Sequence, residues 1–135
     1  MFRTFFAIFV ILHGLVHLWF VVLSQELIEV TPEMGWTPHS WLFTGVLGDA
    51  ATRWLVTIIS VALALTFLVG GIALLARADW WRPLVIGSAI ASAVLIVVYW
   101  DGGTRLLVEK GLIGFLIDVA ILVLLLVFGW PATTP

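Results

Sequence analysis

Long uninterrupted apolar runs constrain this chain more than any other feature. A helix that crosses a bilayer needs about 20 mostly apolar residues, within a range of roughly 17–25. Four stretches of the 135-residue sequence meet that need, at about residues 4–24, 54–76, 84–100 and 112–130. Hydrocarbon offers no hydrogen bonds, so each run must satisfy its own backbone and form a helix. The runs are continuous and do not alternate, which excludes a transmembrane β-barrel.

Composition agrees. Hydrophobic residues make up 63% of the chain and charged residues only 10%, against about 45–50% and about 25% in soluble domains. A soluble globular domain and a disordered chain are both excluded. Six Lys and Arg against eight Asp and Glu leave a formal charge of −2, so no basic field awaits nucleic acid. The chain has no cysteine, which removes disulfides, thiolate catalysis and thiolate metal sites.

The expected architecture is all-α: an integral membrane four-helix up-down bundle, one transmembrane domain over residues 1–135. A long first loop, at about residues 25–53, is expected to be structured. It holds Trp36, Pro38, His39, Trp41, Leu42 and Phe43, which suit an ordered segment lying in the interface. Trp54, Trp80, Trp81, Trp100 and Trp130 fall at the ends of the expected spans, where an amphipathic ring favours the headgroup layer. Trp19 lies within the first span and reads as bundle bulk. The first run is too long for a signal-peptide core and carries two histidines, so it reads as a retained span.

Four spans put both termini on one side. Arg3, Arg77 and Arg82 stand there, against Arg53, Arg105 and Lys110 opposite. The amino terminus adds one positive charge, and the expected orientation in the cell membrane has both termini in the cytoplasm.

Ionisable residues inside a span are costly and mark a functional site by default. Three occur here: His13, His17 and Asp118. The histidines are four apart and share one helix face. Depth can be counted inward from the loop side. At about 1.5 Å per residue, His17, Asp118, Ser60 and Ser92 fall at one level, about 10 Å below the surface. His13, Thr66 and Ser88 form a second level. The expected centre is therefore a His17–Asp118 pair. Gly111 and Gly114 precede Asp118 on its own face and would admit a close neighbour. Gly87, Ser88, Ala89, Ser92 and Ala93 give the third span a close-packing surface.

Four chemistries fit those residues. A metal such as zinc, with copper or nickel as alternatives, would take His13, His17 and Asp118, with His39 folding down as a fourth ligand. The sequence His13-Gly14-Leu15-Val16-His17 lacks the glutamate of the metalloprotease motif. Haem is the weaker candidate, because two histidines one turn apart cannot bracket one iron. A pocket for a quinone-like or lipid-like ligand would use His13, His17, Asp118, Ser60 and Ser92. A scaffold subunit of a larger membrane complex would need the histidines only to satisfy one another.

The segment Ile11-Leu12-His13-Gly14-Leu15-Val16-His17-Leu18 resembles the start of small prokaryotic four-span membrane proteins. The run Gly48-Asp49-Ala50-Ala51-Thr52-Arg53 and the run Trp80-Trp81-Arg82-Pro83-Leu84 are similar to that group as well. The resemblance implies the four-span fold over most of the chain and brings no catalytic residue and no substrate. The preferred function is non-enzymatic: a binding or accessory membrane protein with a His17–Asp118 polar centre, taking a small hydrophobic ligand. A metal-dependent membrane enzyme is the alternative. Expected partners are the lipid bilayer, the ligand, and a second copy or membrane-complex subunit.

Overall fold

The structure is a computed structural model that describes residues 1–131. Among these residues the fold is all-helical. Helix α1 is Phe2–Ser24, α2 is Thr44–Ala76, α3 is Trp81–Val98 and α4 is Leu112–Leu122. A 3-10 turn at Pro32–Met34 interrupts the first connection, and α4 runs on into a π-helical turn at Val123–Val127. Helices α1, α2 and α3 are each long and apolar enough to cross a membrane; Leu112–Val127 is a shorter apolar helix. Many large side chains point outward, among them Phe5, Leu12, Ile58, Leu65 and Val94. Such an outer surface does not suit water.

Helix α2 corrects the sequence reading. It begins at Thr44, not near Trp54, so the first connection is shorter than expected. Gly48, at φ 80° and ψ 169°, breaks it into a first turn and a long helix. The segment after Gly48 holds Asp49, Ala50 and Ala51. These start a helix well, with the carboxylate near its positive end, but they are not apolar enough to register as a span. Thr52 Oγ1 donates back to the Gly48 carbonyl at 2.7 Å, and Tyr99 Oη donates to the Thr52 carbonyl at 2.8 Å. Helix α3 likewise starts earlier than expected, because Pro83 is tolerated in a first turn.

The first connection folds onto the bundle. Trp36 is buried against Phe20, with ring centroids 4.4 Å apart, and its Nε1–H donates to Ser24 Oγ at 3.0 Å. Ser40 Oγ donates to the Val98 carbonyl at 2.8 Å, and Trp41 Nε1–H to the Val97 carbonyl at 2.9 Å. These bonds satisfy carbonyls at the end of α3 that have no partner within the helix. In the last connection, Lys110 Nζ donates to Asp101 Oδ1 at 2.8 Å, and this holds the Asp101 carboxyl below its usual range.

Two of the terminal-side arginines do structural work as well as carrying charge. Arg3 Nε donates to the Leu74 carbonyl at 2.7 Å, with a second bond from Nη2, at the end of α2. Arg82 Nη2 donates to the Leu125 carbonyl at 2.9 Å, in the π turn. Not every expected interfacial Trp is at the surface. Trp54 and Trp80 are exposed, but Trp81 is buried in the core beside Phe6, which also packs on Trp130 with centroids 5.2 Å apart. Trp19 is exposed and does not fill the bundle.

Helices α1 and α2 lie closest. A Cβ on Gly14 would stand 2.3 Å from Phe67 Cβ, and one on Gly71 would stand 2.9 Å from the Ala7 carbonyl oxygen. Small residues let the backbones approach where no hydrophobic effect drives them together. Gly87, expected in a packing surface, faces open space. Gly111 and Gly114 do meet a neighbour, the Ile96 side chain of α3. The buried apolar residues form two clusters. One holds Phe6, Val10, Phe67, Val85, Ile121 and Leu125; the other holds Phe20, Leu23, Trp36, Leu63, Leu95 and Tyr99.

Gly14→Ala tests the close approach. It should lower stability by about 1–3 kcal/mol, the usual cost of overpacking. Gly87→Ala should be neutral or slightly stabilising, since Ala favours a helix over Gly by about 1 kcal/mol. Thermal melting of the two detergent-solubilised variants, side by side, checks both.

Candidate functional site

Between the two apolar clusters lies a polar layer. On α1, His13 and His17 fall between Val10 and Phe20. On α3, Ser92 falls between Ala89 and Leu95. On α4, Asp118 precedes Ile121. All four are buried, and Asp118 and Ser92 have no exposed surface.

His13, not His17, touches Asp118. His13 Nε2 stands 2.7 Å from Asp118 Oδ1. Ser92 Oγ lies 2.5 Å from Asp118 Oδ2, and His17 Nε2 lies 2.8 Å from the same Ser92 oxygen. The expected His17–Asp118 pair is thus replaced by a chain: His13, Asp118, Ser92, His17. Counting residues fixed depth to within a turn, and the two histidines are one turn apart. Phe67 of α2 braces both rings, edge-on to His13 at 5.1 Å and nearly parallel to His17 at 5.6 Å. Phe9 stacks on His13 from the other side at 6.3 Å. No sequence signal marked Phe67; only Gly14, set between the histidines and open to α2, pointed there.

Three other candidates stand apart. Ser60 is buried on α2, but its hydroxyl has no partner and does not join the chain. Ser88 donates to Thr66 at 2.8 Å, so the second level pairs without His13. His39 does not fold down. Its side chain is 61% exposed and its Nδ1 lies 3.3 Å from Asp49 Oδ1 on the surface. The loop side chain that does turn inward is Trp36, expected in the interface, which packs on Phe20 and Tyr99.

The expected metal ligands do not come together as one set in the structure. Among the described residues no three His, Cys, Asp or Glu side chains are placed to hold an ion. The cause is local. His17 Nε2 faces Ser92, and its Nδ1 faces the carbonyls of Gly14 at 3.1 Å and His13 at 3.3 Å. Both nitrogens are engaged, and neither converges with His13 on one point.

The hydrogen bonds, together with the cost of net charge among apolar side chains, limit where the protons can sit. A carbonyl only accepts, so His17 Nδ1 carries a hydrogen. Ser92 has one hydroxyl proton and two partners, so one partner must donate to it. Two arrangements with no net charge satisfy every bond. In the first, Asp118 is a carboxylic acid. Its Oδ2–H donates to Ser92, and Ser92 donates to His17 Nε2. In the second, His17 is an imidazolium. Its Nε2–H donates to Ser92, and Ser92 donates to the Asp118 carboxylate. The two differ by one proton passed along Asp118–Ser92–His17. In both, His13 Nε2–H donates to Asp118 Oδ1. The layer can therefore hold one proton and relocate it with no change in net charge, which suits an apolar setting.

Beside this layer the bundle is open. Successive helices pack on one another, but α1 and α4 stand further apart, and a groove of about 410 Å³ runs between them. Phe9, Leu12, Val16 and Trp19 line it from α1, and Ile113 and Ile117 from α4. His13 and His17 reach its wall, and Glu109 stands on its lining as well. A second hollow, about 350 Å³, lies between Ile96, Trp100, Leu107 and Phe115 and touches none of the four polar residues.

A double-mutant cycle on His13→Ala and Asp118→Ala should return a coupling of about 1–3 kcal/mol, as expected for residues in one network. The same cycle on His17→Ala and Asp118→Ala should return less, because Ser92 stands between them. Chemical or thermal unfolding in detergent reads both.

No family model matches this chain, and no curated protein or solved structure does so either.

Proposed function

We propose that this protein is a small integral membrane binding protein, a four-span up-down bundle whose groove between α1 and α4 receives a small hydrophobic ligand or lipid. One observation carries the reading. A groove of about 410 Å³, lined largely by apolar side chains, is bordered by two imidazoles of a buried polar network. That size falls within the range of about 300–1,000 Å³ typical of ligand sites, and so does the pairing of apolar walls with a few polar groups. The groove lies between two helices whose outward side chains suit lipid, so a ligand would enter sideways from the bilayer. The protein acts by binding; His13 and His17 border the ligand's polar end, and Ser92 and Asp118 hold the two imidazoles in position from behind. The short fourth helix, Leu112–Val127, completes the crossing with residues up to Trp130. Both termini face the cytoplasm of the cell membrane. A second copy or a larger membrane complex is the setting in which such a carrier would hand on its ligand.

Native mass spectrometry of protein extracted in mild detergent tests the binding reading. The expected result is a retained hydrophobic adduct on the wild type that is lost in Val16→Trp. Val16 is 57% exposed and lines the groove, so the indole fills the space without entering the core. An adduct-free wild type across several detergents would sink the reading and leave a scaffold whose histidines only satisfy one another. Orientation has its own test, made clean by the absence of native cysteine. A membrane-impermeant maleimide added to intact cells should label Thr104→Cys and spare Asp79→Cys.

A further inference from the structure

The polar network leaves one atom unspent. His13 Nε2 is bound to Asp118, while His13 Nδ1 has no hydrogen-bond partner among the described residues. His13 as a whole is 6% exposed. The side-chain atoms that are both sealed and unpartnered are Arg53 Nε and Ser60 Oγ. His13 Nδ1 is not among them, so it keeps access to the groove that its ring lines. A buried ring nitrogen without a partner costs free energy unless something arrives to bond it.

Which bond it can make follows from the proton count. In both uncharged arrangements His13 carries its hydrogen on Nε2, which donates to Asp118. Nδ1 then has a lone pair and no hydrogen, and toward the groove it can only accept. The opposite tautomer, with Nδ1–H pointing into the groove, requires one of two penalties. Either the layer takes on a net positive charge among apolar side chains, or His17 Nδ1 loses its hydrogen while facing two carbonyl oxygens 3.1 and 3.3 Å away.

From this we infer that the groove selects a lipid whose polar end is a hydrogen-bond donor: a long-chain molecule ending in a free hydroxyl, which donates to His13 Nδ1. Its chain lies along Leu12, Val16 and Ile117. An ester, ether or ketone at the same position presents only lone pairs to a lone pair. The inference rests on the groove being a ligand site, and it adds the class of ligand.

Three probes of matched chain length test it on wild-type protein stripped of lipid: 1-dodecanol, its methyl ether, and a methyl ketone. Binding of each is titrated by native mass spectrometry. The alcohol should bind about fivefold more tightly than either of the others, the worth of one net hydrogen bond. His13→Phe should bring the three to equal affinity while still binding them. If that variant does not fold, the wild-type series decides alone. Equal binding of the three, or preference for the ketone, overturns the inference and leaves the groove as an unselective hydrophobic site. Binding of none overturns the groove reading along with it.

Discussion

Burying the Asp118 carboxyl within a helical bundle is the constraint from which the rest of the arrangement follows. It has no exposed surface, and a carboxyl so placed must be bonded or it opposes folding. Its two oxygens are met from two other helices, one by His13 of α1 and one by Ser92 of α3. Ser92 then needs a second partner, and His17 provides it. Each bond creates the need for the next until the chain ends on the Gly14 and His13 carbonyls. Helix α2 offers no polar group to this chain. It offers Phe67, whose face and edge hold the two imidazoles in place. Lipid-facing helices can slide and rotate against one another with little loss of apolar contact. A set of short, directional bonds fixes the register of three of them at once.

Much of this was legible in the sequence, and the failures have distinct physical causes. Apolar run length located the helices, because hydrocarbon forces helical backbone wherever the run is long enough. It also made the cost of Asp118 plain. What run length cannot supply is rotation about each helix axis. His13 and His17 share a face and lie about 6 Å apart along the helix, four residues at about 1.5 Å each. A boundary error of one turn therefore exchanges them. The start of α2 was hidden differently. Asp49 to Arg53 form helix by propensity and by a charge placed near the helix start, and a hydropathy criterion is blind to both. The tryptophans were ambiguous by chemistry. A ring with one polar atom is equally at home on an outer surface, as Trp54 is, or over a buried hydroxyl, as Trp36 is over Ser24. Nothing local in the sequence separates the two.

The gap between α1 and α4 has its origin in where the small residues point. Ala7 and Gly14 turn toward α2, and Gly71 on α2 returns the contact. Gly111 and Gly114 turn toward Ile96 of α3. The small faces of the first and last helices are thus spent on their neighbours in sequence. What α1 and α4 present to each other is bulky: Phe9, Leu12, Val16 and Trp19 against Ile113 and Ile117. Bulky rows hold backbones apart, and the groove is the space they leave. The His13–Asp118 bond spans that gap at its depth. The same imidazole closes the bundle through one nitrogen and opens on the groove through the other. Occupying the groove therefore acts directly on the bond that ties α1 to α4. A donor arriving at Nδ1 polarises the ring and strengthens Nε2–H as a donor to Asp118. On the proposed reading, binding and the contact between α1 and α4 would be coupled through a single side chain, and by the reciprocity of linkage whatever strengthened that contact would strengthen binding.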